Sequence, residues 1–201
     1  MSEAIHTRFL AIAEALSPAL HDAMVRGGPV ALQGDAGAPL AERLCRSVAG
    51  QQLSVKAARS IWTRVEVACG EMALTEFFHD GNFEAIRACG LSSAKVRSIC
   101  AIAAEARAGG LEAETLRPLD PVERASRLTA LWGVGQWTAD MISIFYFGDE
   151  DVWPDGDVAA RKTLTRLTSP RRKTVRTAAR FAPHRSYLAL YMWRHVDAPP
   201  L

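Results

Sequence analysis

Apolar positions recur at helical spacing almost from the first residue. Ile5, Phe9, Ile12, Leu16 and Leu20 mark one face of a helix over 3–26. Pro18 should kink or split it, because proline lacks an amide donor and crowds the preceding turn. Gly27-Gly28-Pro29 ends it, and 34–39 reads as loop. Leu40, Leu44 and Val48 predict a helix over 39–50, and Ser54 is placed to cap the next, running to about Cys69. Short helices are expected over 73–79 and 82–89. Ser92 caps one reaching about Ala108, which Gly109-Gly110 closes. Asp120 and Pro121 open a helix that ends near Leu131. Others are expected over 136–147, 158–167, 171–182 and 184–196, with breaks at Ser169-Pro170 and Ala182-Pro183. No stretch shows the two-residue alternation of a half-buried strand. The expected fold class is all-α.

With 201 residues, 49% of them hydrophobic, the chain can bury the core of one domain or of two small lobes. No apolar run of about 18 residues is present to span a membrane. Residues 1–16 carry Glu3, His6, Arg8 and Glu14 and no signal-peptide block, so a cytoplasmic location is expected. Cys45, Cys69, Cys89 and Cys100 lie scattered and singly, which predicts four reduced, buried thiols. The net charge of +2 hides an uneven distribution. Residues 158–196 hold ten Lys/Arg and no Asp or Glu, leaving 14 basic against 22 acidic residues elsewhere. A basic third of this kind suits either a polyanion or a solvated helix surface.

The candidate chemistry is concentrated in 131–157. Leu131-Trp132-Gly133-Val134-Gly135-Gln136-Trp137-Thr138-Ala139 sets two glycines around Val134, between two predicted helices. This suits a tight hairpin. Amides of such a turn, with those of the next helix, point outward and bind anions, phosphate above all. An ordinary helix–helix turn would use the same glycines. Asp157 then closes Asp151-Val152-Trp153-Pro154-Asp155-Gly156-Asp157 at the head of the next helix. There it can act as a cap, and the helix N-terminus would keep it ionised.

Together these two segments resemble the helix-hairpin-helix DNA glycosylases, in the 3-methyladenine DNA glycosylase II branch. That branch carries a leucine-x-glycine-(Ile/Val)-glycine-x-tryptophan-threonine-alanine hairpin, followed by an aspartate in a D-V-aromatic-P-x-x-D segment. Gly50-Gln51-Gln52-Leu53-Ser54-Val55-Lys56-Ala57-Ala58 and the Gly90-Leu91-Ser92…Lys95 pattern are similar to the same branch. The resemblance covers roughly residues 40–195. It implies one glycosylase unit over 1–201, built of two helical lobes with the hairpin at 131–136. No N-terminal α/β domain is expected, since about 40 residues precede the match. No iron–sulfur cluster is expected either, since no cysteine follows Cys100.

The resemblance assigns roles residue by residue. Asp157 is the catalytic carboxylate. Cleaving an N-glycosidic bond builds positive charge on the sugar, and one carboxylate stabilises that charge or activates water. Asp155 is its nearest rival. Trp137 stands where bifunctional relatives carry a lysine, so a monofunctional enzyme using water is implied. Trp137, Met141 and His184 line the base pocket. Gln52 or Leu53 enters the gap left by the flipped nucleotide. Gly133, Val134, Gly135, Gln136, Arg185 and Ser186 contact DNA. Backbone carbonyls of Thr129, Leu131 and Val134 hold a monovalent cation, and no other cofactor is required. The implied partner is duplex DNA with a damaged base. A monomer is expected.

Two positions depart from the branch. Trp132 stands where the hairpin usually has proline, which leaves core packing or contact with the sugar–phosphate backbone open. His184 stands where a tryptophan usually contributes to the pocket, which affects substrate range. The expected function is excision of alkylated purines, 3-methyladenine and 7-methylguanine, by base flipping and hydrolysis in base excision repair. A glycosylase for deaminated or mismatched bases, or a non-catalytic hairpin module that only binds DNA, would share many of these features. Asp157 and Trp137 distinguish the enzyme from the module, since binding alone requires neither.

Overall fold

Pro18 splits the first predicted helix in two. In the computed structural model, which describes residues 1–34 and 37–196, α1 (Glu3–Leu16) stops at Ser17 and α2 (Pro18–Gly27) begins on the proline itself. Proline suits a first helical position, where no amide donor is required. The chain continues through α3 (Leu40–Gly50), α4 (Val55–Cys69), α5 (Leu74–Phe77), α6 (Phe83–Ala88), α7 (Ser93–Arg107) and α8 (Ala113–Leu116). It ends with α9 (Pro121–Thr129), α10 (Gln136–Ile142), α11 (Val158–Leu167), α12 (Thr174–Ala178) and α13 (Arg185–His195). All regular structure among the described residues is helical, and none of these helices is long and apolar enough to cross a membrane.

Boundaries differ from expectation in four places. The four-residue α8 was not anticipated. α9 stops two residues early, at Thr129. The helix expected over 136–147 is α10 followed by a wider π turn, Ser143–Phe147. That turn buries Ser143, Ile144 and Tyr146 and leaves Phe145 against Trp193, with ring centres 5.6 Å apart. The helix expected over 171–182 shrinks to α12 and a 3-10 turn, Ala179–Phe181. Ser169 takes the Arg171 amide on its Oγ at 3.2 Å, and Lys173 is extended, so the helix cannot start sooner.

The chain divides into two units. In the terminal unit, residues 1–34 and 143–196, α1 packs on α2 and α13 packs on both α2 and α11. Phe9, Leu20, Met24, Leu164, Phe181 and Trp193 are buried there. Each such side chain contributes roughly 1.5–3 kcal/mol on leaving water. In the central unit, residues 37–142, α7 lies against α3 and α5, and α10 lies against α3 and α9. Leu44, Val48, Trp62, Ile99 and Ile102 form its interior. The four cysteines are unpaired, buried thiols, as expected, and burial pushes the Cys45 thiol upward.

Candidate functional site

The predicted site residues fall into two groups, one on each unit. The central unit carries the hairpin. Asp120 opens α9 by accepting the amides of Val122 (2.9 Å) and Glu123 (3.1 Å) on its carboxylate. After α9 the chain turns, with the Val134 amide donating to the Leu131 carbonyl at 3.1 Å. Val134 is buried and plugs the turn, while Gly133, Gly135 and Gln136 are exposed. The amides of those three exposed residues make no hydrogen bond among the described residues. The two glycines differ in what the fold asks of them. Gly133 has φ +84°, and a Cβ there would lie 2.2 Å from Ser98 Oγ. At Gly135 a Cβ would meet nothing within 4 Å. The protein itself therefore demands only the first.

The Gln52 loop lies in the same unit. Gln52 adopts φ +59°, a strained conformation for a side-chain-bearing residue, and Leu53 beside it is exposed. Ser54 caps α4 as expected, accepting the Ala57 amide at 3.3 Å. The loop is tied to the hairpin through groups that sequence reasoning passed over. Gln51 Nε2 donates to the Gly133 carbonyl (3.3 Å) and to Thr138 Oγ1 (3.1 Å). From α7, Lys95 Nζ donates to the carbonyls of Ala49 (2.9 Å) and Gln51 (2.7 Å). One turn later, Ser98 Oγ donates to the Trp132 carbonyl at 2.7 Å. One face of α7 thus holds both loops by their carbonyl oxygens. Burial lowers the Lys95 pKa, and the two carbonyls supply partners to the ammonium. The Gly90-Leu91-Ser92…Lys95 pattern was the available signal, although it gave no partner for the lysine.

Trp132 is 54% exposed, with the Arg97 guanidinium 5.9 Å from its ring centre, which rules out core packing. Trp137 is half-buried, Met141 is buried, and Gln136 Nε2 donates to Asp140 Oδ1 at 2.8 Å. Among the described residues, no group of three or more His, Cys, Asp and Glu is placed to hold a metal ion.

Asp157 belongs to the terminal unit and is only 8% exposed. Its Oδ1 caps α11 by accepting the Ala160 amide at 2.7 Å, and it also accepts from Trp193 Nε1 on α13 at 3.0 Å. The capping reading is therefore correct, and it leaves room for a second role. Two donors fix the carboxylate's orientation, and the start of α11 favours its charge. Asp155, the rival, is exposed and is bound by Thr174 Oγ1 (2.9 Å) and Trp153 Nε1 (3.3 Å). Trp193 was missed because a helical tryptophan in a sequence reads as core, and it is core as well.

Two residues of the 182–188 segment expected to contact DNA are engaged within the protein. Ser186 is fully buried. Its Oγ donates to the Asp149 carbonyl (2.6 Å) and accepts the Val152 amide (3.0 Å), so it cannot reach a phosphate. Arg185 binds Asp151 with Nε at 2.7 Å and Nη2 at 3.0 Å. Burial raises the Asp151 pKa, but the hydrogen bonds and charge of Arg185 outweigh it and hold the carboxyl below its ordinary range. Both residues fasten the Asp151–Asp157 segment to α13 instead. His184 is half-buried, with Nδ1 2.9 Å from Glu150 Oε2, and Tyr187 donates to the other Glu150 oxygen at 2.8 Å.

No protein-family model matches the chain. The DNA-3-methyladenine glycosylase 1 of Schizosaccharomyces pombe is 37% identical over 165 residues, which cover 76% of this chain and 71% of that protein. The probable bifunctional transcriptional activator/DNA repair enzyme AlkA of Mycobacterium tuberculosis is 31% identical over 170 residues. These cover 79% of this chain and 34% of that protein, so the match spans about a third of the relative's length. The fold matches a solved structure of the Schizosaccharomyces pombe 3-methyladenine DNA glycosylase in complex with abasic DNA. The TM-score is 0.79 at 27% identity, over 96% of this chain and 98% of the other. The chain belongs to the 3-methyladenine DNA glycosylase family, within the helix-hairpin-helix superfamily.

Proposed function

We propose that this chain is a monofunctional DNA glycosylase that excises alkylated purines from duplex DNA, with its two units acting as one enzyme. The observation that carries the reading is Asp157. A buried carboxylate at the family's catalytic position is held by the Ala160 amide and by Trp193, and a fixed negative charge is what a developing oxocarbenium ion needs nearby. The exposed amides of Gly133, Gly135 and Gln136 bind backbone phosphate. Leu53 or Gln52 fills the space of the flipped nucleotide, and Leu53 is the better wedge because apolar side chains unstack bases more readily. Trp137 and Met141 receive the base, with His184 replacing the usual tryptophan.

Oxygen donors suit a monovalent cation, and the Leu131 carbonyl keeps a second lone pair beyond its bond to Val134. The Thr129, Leu131 and Val134 carbonyls would then hold that ion against a DNA phosphate. The chain acts as a monomer, wherever the cell's DNA lies.

The product tests the monofunctional assignment. With Trp137 in the lysine position, the reaction should leave an intact strand with an abasic site, broken only by later alkali or heat. Borohydride trapping of an enzyme–DNA Schiff base would contradict it.

A further inference from the structure

On the terminal unit, α11 and the loop at 168–173 enclose an open groove of about 780 Å³. Six of its lining side chains are basic: Arg161, Lys162, Arg166, Arg171, Arg172 and Lys173. All six are exposed. Arg172 donates to the Leu16 carbonyl at 3.2 Å, and the side chains of the other five make no hydrogen bond or ion pair among the described residues. One acidic side chain, Asp155, lines the groove, and its Oδ1 already accepts from Thr174 and Trp153. Lys162 and Arg166 stand four residues apart on α11, a like-charged spacing that disfavours a helix. The loop brings three more cations alongside them. Such an uncompensated cluster is stable beside an external polyanion and self-repelling without one.

We propose that this groove binds a stretch of DNA backbone flanking the damaged nucleotide. The proposal rests on the glycosylase reading, which supplies duplex DNA as the polyanion. The groove runs along α11, whose first turn is capped by Asp157, so its distance from that carboxylate is fixed by one helix. The ten residues of α11 extend about 15 Å, close to four base-pair steps at about 3.4 Å each. Exposed Val158 and Val175 add apolar surface for sugar contacts between the cations. None of these contacts reads base identity, so the groove adds affinity and register on the duplex without adding sequence preference.

The test is binding to abasic-site duplexes whose flanks are lengthened stepwise, at several salt concentrations. The wild type should gain affinity with length. The triple variant Arg166→Ala/Arg171→Ala/Lys173→Ala should lose that gain. If all three side chains contact phosphates, its slope of log K against log salt becomes shallower by about 2.7. Arg166→Lys/Arg171→Lys keeps the charges and should retain both properties. Should the triple variant fail to fold, the single reversal Arg171→Glu on the exposed loop should reduce the slope by at least about 0.9. An unchanged slope and length dependence would overturn the proposal. So would an equal loss on short and long duplexes, or an equal length-dependent gain on duplex RNA. A wild type that shows the length dependence but excises no base sinks the glycosylase reading and leaves the groove standing. A wild type that excises with length-independent binding does the reverse.

Discussion

Asp157→Asn should reduce single-turnover base excision by at least about 10²-fold while binding to an abasic-site duplex stays near wild type. The substitution is close to a pure charge removal. The asparagine carbonyl can still accept the Ala160 amide and Trp193 Nε1, which both bind Asp157 Oδ1 now. Asparagine also caps helices about as well as aspartate, so α11 should keep its start. What is lost is the negative charge near a sugar that becomes positive only in the transition state, so rate should fall far more than affinity. Asp155→Asn is the control. That carboxylate is exposed and tied to Thr174 and Trp153, and its variant should excise at nearly the normal rate. Near-normal excision by Asp157→Asn, or a comparable defect in the control, would remove Asp157 from its role.

The hairpin glycines should separate folding from binding. Gly133→Ala forces a Cβ to within 2.2 Å of Ser98 Oγ at φ +84°, and Ser98 must then release the Trp132 carbonyl. A destabilisation of about 1–3 kcal/mol is expected, visible as a lower melting temperature. Gly135→Ala meets no atom within 4 Å and should melt like the wild type. Its added methyl instead projects where a phosphate must approach the exposed amides, so DNA affinity should fall about tenfold, or 1.4 kcal/mol. Full affinity for DNA in Gly135→Ala would mean that this face of the hairpin is not where the backbone lies.

The helices were legible because their signals are local. Ser54, Ser92, Asp120 and Asp157 all cap the helices expected of them, each bonding an amide two or three residues on. The π turn was not legible, since widening a helix is settled by what it packs against, here Phe145 against Trp193. In the candidate site, motifs pointed to residues but not to the groups that hold them. Lys95 and Ser98 act on carbonyls more than thirty residues away in sequence, and Trp193 meets Asp157 across thirty-six. The partners of Arg185 and Ser186 within the protein were hidden for the same reason. A sequence shows a fork and a hydroxyl near a motif, and only the fold shows that Asp151 and Asp149 already occupy them.

Substrate choice follows from the leaving group. Alkylation at a ring nitrogen makes a purine cationic and weakens its bond to the sugar, so one carboxylate suffices. A cation also gains about 0.5–2 kcal/mol from an aromatic face such as that of Trp137. That preference is modest, so the weakened bond and easier flipping must supply most of the selectivity. The direct test is base release from a panel of duplexes carrying methylated, deaminated or oxidised bases. The account predicts release of 3-methyladenine and 7-methylguanine well ahead of uracil and 8-oxoguanine. Strong excision of uracil or 8-oxoguanine with no release of methylpurines would contradict it.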